Sequence, residues 1–405
     1  MLNDKGELYV KLQRALYGSL QASRLWYENI SSFLSKNGYV ANKTDPCVFN
    51  KWIGNECITV GIYVDDLIIT ATDKKLIKKL RDALIEEYKE VNYMDGNKIT
   101  YLGMLLDNSH KKYVSITMPQ FIDDLVSDMQ LGPGDFSKTP ASSKLFNIIS
   151  NDELLSDDER ERFHTNVAKL LYLGKRARPD VLLAATFLCT RVRSPGKDDL
   201  KKLGRCVRYL NKTKSTIDYR INATKDLLEM CVYVDASFAV HDTYRSHSGA
   251  VLTIGKNTVI YTESLKQKLN AKSSTEAELI AVSDVLPQII ANRNFLEEQL
   301  RQTITLNLFQ DNKSTMALIK NGRPLAKSTR HINIRFFFIS DYSNRNEITV
   351  HHLASEKMIA EFYTKPLQGE LFRRHRDAIM GHVIDATEVS TLCCSINRIF
   401  KRIKF

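Results

Sequence analysis

Hydrophobic and polar positions divide the chain into three stretches of different rhythm. In the first, residues 51–72 read as a hairpin: CITVGIYV is apolar and β-branched, Asp65-Asp66 interrupts it, and LIITAT follows. Leu76, Leu80, Leu84 and Tyr88 then recur at helical spacing and predict a charged amphipathic helix over 73–90. A further strand pair is expected over 101–118, around YLGMLLD and KYVSITM. From 119 to about 215 the pattern is helical, punctuated by Ser194-Pro195-Gly196. After 228 alternation returns. MCVYVDAS, SGAVLTIG and NTVIYTES read as strands, and a helix is expected over Ser274–Leu300, bent or interrupted at Pro287. The strand TLNLFQD, the helices KSTMALIK and NIRFFFISDYS, the strand EITVHHL and a helix from about Glu356 complete the pattern. The final 25 or so residues are weakly patterned, and no repeat is visible. The mixture predicts an α/β fold.

Length and charge narrow the reading. A chain of 405 residues suggests two to three domains. Lys and Arg outnumber Asp and Glu by 58 to 47, a formal charge of +11. That surplus favours a polyanionic partner such as nucleic acid, or serves solubility alone. The seven cysteines form no C-x-x-C pair, which argues against a disulfide framework or zinc site and for a reducing compartment. The start lacks an apolar leader core, and no uncharged run is long enough to span a bilayer. A soluble intracellular protein, cytoplasmic or nuclear, is expected.

Tyr63-Val64-Asp65-Asp66 puts two adjacent carboxylates at the tip of an apolar hairpin. Mg²⁺ would offset their repulsion, since it favours carboxylate and phosphate oxygens. A solvated Asp-Asp turn is the alternative. The order LYVKLQRALYGSLQASRLWYENI, DPCVFN, YVDD, YLGM resembles the copia-type reverse transcriptase of LTR retrotransposons. The resemblance implies a palm domain in which Asp65 and Asp66 are catalytic metal-binding residues. It implies that Leu16, Tyr17, Gly18 and Gln21 face template and nucleotide, and that Tyr101, Gly103 and Met104 belong to a primer-gripping hairpin. In that family a third metal-binding aspartate and the fingers lie upstream of the LYG segment, which here begins about a dozen residues from Met1. No efficient DNA synthesis by this chain alone is therefore expected. The region after LLYLGKRA, with Arg178-Pro179-Asp180 and with Arg205 and Arg208 in GRCVRYLNKTK, resembles the family's thumb and connection. Its basic helical face would track a phosphate backbone, or would be a solvated surface.

A second constellation is acidic. Asp235 ends the strand CVYVDAS, Asp311 ends LNLFQD, Glu278 lies in SSTEAELIAV, and Glu361 lies in MIAEFYTKPLQG. Strand-end carboxylates beside a helix start can converge on metal ions that hydrolyse a phosphodiester. Glu276 competes with Glu278. At 100° per residue Glu278 lies about 40° from the apolar position Val282 and Glu276 about 120° away, which favours Glu278. Thr275 to Glu278, or Ser273 to Glu276, also fits a capping box. YVDASFA, KSSTEAELIAV, QDNKSTMALI, RHINIRFFFI and MIAEFYTKPLQG together, in this order, resemble the copia-type RNase H domain. The resemblance implies a mixed sheet flanked by helices and cleavage of the RNA strand of RNA–DNA hybrids. Asp235, Glu278, Asp311 and Glu361 would hold two Mg²⁺ or Mn²⁺ ions. The family usually has Asp where this chain has Glu361. The added methylene either misplaces the second ion or is bridged by water, so activity is expected to be reduced rather than abolished. His351 and His352 would assist product release or fill structural roles, and His331 is expected to be structural.

The resulting division is a palm over 1–118, a helical thumb and connection over 119–227, an RNase H-like domain over 228–370 and a basic tail over 371–405. Expected partners are RNA–DNA hybrid, single-stranded nucleic acid and the rest of a Pol polyprotein, with no membrane. A catalytically decayed or host-reused nucleic-acid-binding relic is the competing reading.

Overall fold

The hairpin signal around the Asp-Asp pair becomes the centre of a six-stranded sheet in a computed structural model. The structure describes residues 5–6, 16, 18–132, 134–224, 226–255, 258–321, 330–383 and 399–404. Two units divide these: 1–99 with 398–405, and 100–397.

In the first unit the sheet runs Val40–Ala41, Val48–Ile53, Glu56–Tyr63, Asp66–Ala71, Ile399–Lys404, Asn92–Met94, each antiparallel to its neighbour. Helices Ala22–Lys36 and Lys74–Tyr88 carry the apolar stripes that cover it. Ile30, Leu34, Ile77, Leu80 and Leu84 pack with Phe49, Ile58, Val60, Leu67 and Ile69 in one core. Burying each such side chain contributes roughly 1.5–3 kcal/mol. The weakly patterned C-terminus therefore contributes a strand: Ile399–Lys404 lies between Asp66–Ala71 and Asn92–Met94.

In the second unit, Met104–Asp107, Tyr113–Thr117 and Tyr219–Asn222 form a small antiparallel sheet. Helices Pro119–Asp128, Asp157–Arg176, Leu182–Cys189 and Lys197–Thr213 follow the expected helical stretch. Ser156 and Glu159 close a capping box at the start of the second. A five-stranded sheet then runs Thr258–Lys266, His247–Ile254, Glu229–Ser237, Thr305–Gln310, Thr349–His352. The first three strands are antiparallel, and the last two are parallel to Glu229–Ser237. Parallel strands need crossovers, supplied by the helix Ser274–Leu300 and by helices Lys313–Asn321 and Arg330–Asn344.

Glu229–Ser237 is central and covered on both faces, which is why its sequence is nearly all apolar. Met230, Val232, Val234 and Ala236 pack against Leu279, Val282, Leu286 and Ile289 of the long helix. Tyr233 packs on the opposite side with the helical region and with Tyr363 and Phe372.

Two expectations are corrected. Of the two outcomes expected at Pro287, a bend or an interruption, the interruption does not occur: the long helix is continuous there, since losing one interior hydrogen bond is outweighed by an apolar face buried along its length. No α-helix begins near Glu356. Short 3₁₀ turns cover Ser355–Lys357 and Ile359–Tyr363, and the helix begins only at Gly369. Pro366 lacks the N–H a helix would need and disfavours helical backbone at the residue before it. Phe372 and Ile379 of that last helix, expected in the tail, are buried in the core of the second unit. Cys393, Cys394 and Tyr17 lie outside the described residues, as does the side chain of His331.

Candidate metal centre

Sheet order brings three of the acidic positions together. Asp235 stands near the end of the central strand and Asp311 just beyond the end of its parallel neighbour Thr305–Gln310. Glu278 lies in the second turn of the helix packed on that pair. Ligand oxygens of Asp235, Glu278 and Asp311 lie within 4.8 Å of one another, a group sized for a cation among the described residues. Three hard oxygen donors suit Mg²⁺ or Mn²⁺ rather than a soft metal.

Each carboxylate is held. Glu278 is 5% exposed and accepts from the Ala236 N–H at 3.1 Å and from Gln310 Nε2 at 3.2 Å. Asp311 accepts from Ser355 Oγ at 2.8 Å. Asp235, 2% exposed, accepts from the Thr364 hydroxyl. Burial pushes the Asp235 carboxyl up to about 6; Lys365 and Thr364 draw it back down, while Asp311 and Glu361 add to the rise. Burial, with the charges of Asp235 and Asp311, raises Glu278 well above the usual carboxylate range. Clustered buried acids with raised affinity for protons mark a place where a cation would be welcome.

Glu276 has a different task. Its backbone N–H donates to Oγ of the N-cap Ser273 at 3.2 Å and its carboxylate accepts from the Lys272 N–H at 2.7 Å, so it is occupied at the helix N-terminus.

The fourth acid arrives on the Ile359–Tyr363 turn. Glu361 is not in the three-carboxylate group; its Oε1 lies 2.7 Å from Lys365 Nζ. Gly249 explains how the turn comes so close to the sheet. Gly249 pairs in register with Asp235, and a Cβ there would lie 2.8 Å from Ala360 O, from Tyr363 Cβ and from Thr364 Cγ2. The bare glycine backbone thus seats the turn beside Asp235. Thr364, Lys365, Gln310, Ser355 and Gly249 were not singled out from the sequence. Thr364, Lys365 and Gln310 had the signal of adjacency to the acids, in EFYTK and FQD; Ser355 and Gly249 had none.

The remaining positions are distributed. His351 Nε2 pairs with Asn307 Oδ1 at 3.0 Å and its ring stacks on Phe309, while His352 is exposed at the strand end. Asp65 lies in the turn of the Glu56–Tyr63 and Asp66–Ala71 hairpin and Asp66 opens the second strand; Val64, in the same turn, takes φ 51° and its carbonyl accepts from Trp26 Nε1 at 2.5 Å. Asp66 is buried and Asp65 half-buried, and neither joins a group of three or more ligand residues among the described residues. Leu16 is exposed, Gly18 turns the chain with φ 87°, and Gln21 precedes the Ala22–Lys36 helix. Gly103, with φ 77°, turns the chain between Tyr101 and Met104, and Tyr172 donates to the Leu102 carbonyl at 3.0 Å. Arg205 donates to Thr139 at 2.9 Å, and Arg208 lies half-buried on the same helix. Arg178 is buried and turned inward. It pairs bidentately with buried Asp180, at 2.9 and 2.7 Å, and Tyr209 donates to the same carboxylate at 2.6 Å.

A family model described as reverse transcriptase (RNA-dependent DNA polymerase) matches residues 1–143. The chain is 27% identical over 388 residues to the Transposon Ty1-DR1 Gag-Pol polyprotein of Saccharomyces cerevisiae, covering 92% of this chain and 22% of the relative. The Truncated transposon Ty1-A Gag-Pol polyprotein of the same yeast is 27% identical over 390 residues, with 92% and 32% covered. The chain thus spans a third or less of the length of these relatives. Among solved structures, a foamy viral protease-reverse transcriptase in complex with RNA/DNA hybrid shares the fold, with a TM-score of 0.51, 12% identity, and 88% of this chain and 40% of that chain covered.

Proposed function

We take as premise that the chain is copia-type LTR retrotransposon Pol sequence, and we propose that its second unit hydrolyses the RNA strand of RNA–DNA hybrids with divalent metal. The observation that carries this reading is the convergence of Asp235, Glu278 and Asp311 within 4.8 Å at the end of a central strand and its parallel neighbour. A bound Mg²⁺ or Mn²⁺ supplies an activated water and neutralises charge at the phosphate. The chain's own groups do the rest. Asp235, Glu278 and Asp311 would hold the ion, with Glu361 at its flank. Gln310 and the Ala236 N–H orient Glu278, Thr364 orients Asp235, and Ser355 orients Asp311. The hybrid would be recognised by backbone shape and 2′-hydroxyls, helped by the +11 charge. In the first unit the same reading assigns Asp65 and Asp66 to a metal-binding pair and has the Leu16–Gln21 segment face nucleic acid; in the second it gives the Tyr101–Met104 turn a nucleic-acid-facing role. Work inside the cell as part of a Gag-Pol assembly fits the relatives. No helix among the described residues is long and apolar enough to cross a membrane.

A second reading, hybrid binding without hydrolysis, draws on one observation: Glu361 is engaged by Lys365 rather than by the three-carboxylate group. Cleavage of an end-labelled hybrid with Mg²⁺ or Mn²⁺, beside Asp235→Asn, separates the two. Cleavage lost in the variant supports the hydrolase; folded protein that binds hybrid and never cuts it leaves the binding module.

A further inference from the structure

The acidic site contains a cation of the chain's own. Lys365 Nζ sits 2.7 Å from Glu361 Oε1, with the lysine side chain 44% exposed and the glutamate 13%. Burial alone would lower the lysine, but the charges of Asp235, Glu361 and Asp311 and the bond to Glu361 hold it above its usual value. Its neighbour Thr364 is tied to Asp235, and Gly249 lets the whole turn rest on the strand. The lysine is therefore delivered to the acids by backbone, not by a free surface arm. The four acids divide accordingly: three converge, and the fourth is ion-paired.

Charge balance gives this division a meaning. Four carboxylates carry four negative charges. One divalent ion and one ammonium leave a single charge unbalanced. Two divalent ions and the ammonium overshoot, and only incoming phosphates would redress that. We propose that Lys365 stands in for the second divalent ion while nucleic acid is absent, so that the site takes one ion at Asp235, Glu278 and Asp311, and the second only when Lys365 leaves Glu361. The proposal rests on the metal-dependent reading above.

The test is calorimetric titration of Mn²⁺ into the full chain without nucleic acid, for wild type, Lys365→Met and Lys365→Arg, with melting followed in chelator. Wild type and Lys365→Arg should take one ion. Lys365→Met should take a second, or take Mn²⁺ at least roughly tenfold more tightly, and should melt lower in chelator and recover with Mn²⁺. Should the methionine variant not fold, Lys365→Gln is read in the same way. Two ions in wild type, or an unchanged stoichiometry and affinity on removing the lysine, would overturn the proposal while leaving hybrid cleavage intact. A wild type that binds no Mn²⁺ and cuts no hybrid overturns the metal-dependent reading and this proposal together.

Discussion

Asp235 shows how a single residue's chemistry depends on where the sheet puts it. Its carboxyl is raised from 3.8 to about 6 because the central strand and the Ile359–Tyr363 turn together remove it from water. A group with a raised folded pKa adds stability below its unfolded value and loses that contribution as pH rises through the folded one. Asp235 therefore costs stability at neutral pH when no metal is present. In chelator, Asp235→Asn should raise stability at pH 7 by ~1–3 kcal/mol, with the gain vanishing near pH 4, as urea unfolding would show. An equal gain at both pH values would rule out the titration as its cause. His241 runs the opposite way. Burial, with Lys266, lowers it to about 4, and its ring is hydrogen-bonded to His247 at 3.0 Å. Its contribution is present above 6.5 and is lost as pH falls toward 4. In Asp235→Asn the remaining pH slope should therefore show destabilisation by acid. Gly249 makes a sharper residue-scale prediction. Gly249→Ala places a methyl against the Ala360 carbonyl, so the turn must lift. A cost of about 1–3 kcal/mol and a more than tenfold loss of hybrid cleavage are expected, measured on protein whose circular dichroism is unchanged. Full activity in the alanine variant would show that the turn need not sit where it does.

At the scale of elements, the hairpin of Glu56–Tyr63 and Asp66–Ala71 and the helix Ser274–Leu300 follow directly from pattern. The C-terminal strand does not. Ile399–Lys404 pairs with all six residues of Asp66–Ala71 and, along Arg402–Lys404, with Asn92–Met94. A segment paired on both sides is a central strand, where proline cannot donate to the ladder. Arg402 faces Ile68 on one side and Met94 on the other. A lost ladder bond costs about 1 kcal/mol, so Arg402→Pro should accelerate hydrogen exchange in 66–71 and 92–94 by roughly fivefold or more. The amides of Glu229–Ser237 should keep their protection. Unchanged exchange in 66–71 would mean that the strand is not held there. Glu276 and Glu278 give the other element-scale lesson: two residues apart on one helix, the first is tied to Ser273 and Lys272 at the terminus and the second reaches the sheet.

Over the whole molecule, charge and fold act separately. The +11 balance favours a polyanionic partner or serves solubility alone. Much basic charge is nonetheless consumed internally: Arg178 by Asp180, Lys175 by Glu263 at 2.9 Å, Arg293 by Glu347 at 3.0 Å. Hybrid binding should therefore be salt-dependent but carried by fewer cations than composition suggests. A slope of log affinity against log salt between roughly −3 and −6 is expected, from fluorescence anisotropy with a labelled hybrid. A slope near zero would remove phosphate contact as the basis of recognition.

The sequence by itself determined most of the element types, the α/β class and the kinship with copia-type Pol, and it offered the four acids as candidates. Periodicity of two or 3.6 is a local property that burial imposes on each strand and helix. Motifs such as YVDD and YVDASFA are local as well. Only the tertiary structure decided which acids meet. Whether Glu361 joins Asp235, Glu278 and Asp311 depends on a 3₁₀ turn seated on Gly249 and on an ammonium four residues along. Neither leaves a periodic trace. The same holds for Ile399–Lys404: a six-residue apolar-basic alternation is too short to announce a strand, and its partners lie more than 300 residues earlier in the chain. Pairing at that separation is set by the open edges of a sheet, which exist only once the chain has folded.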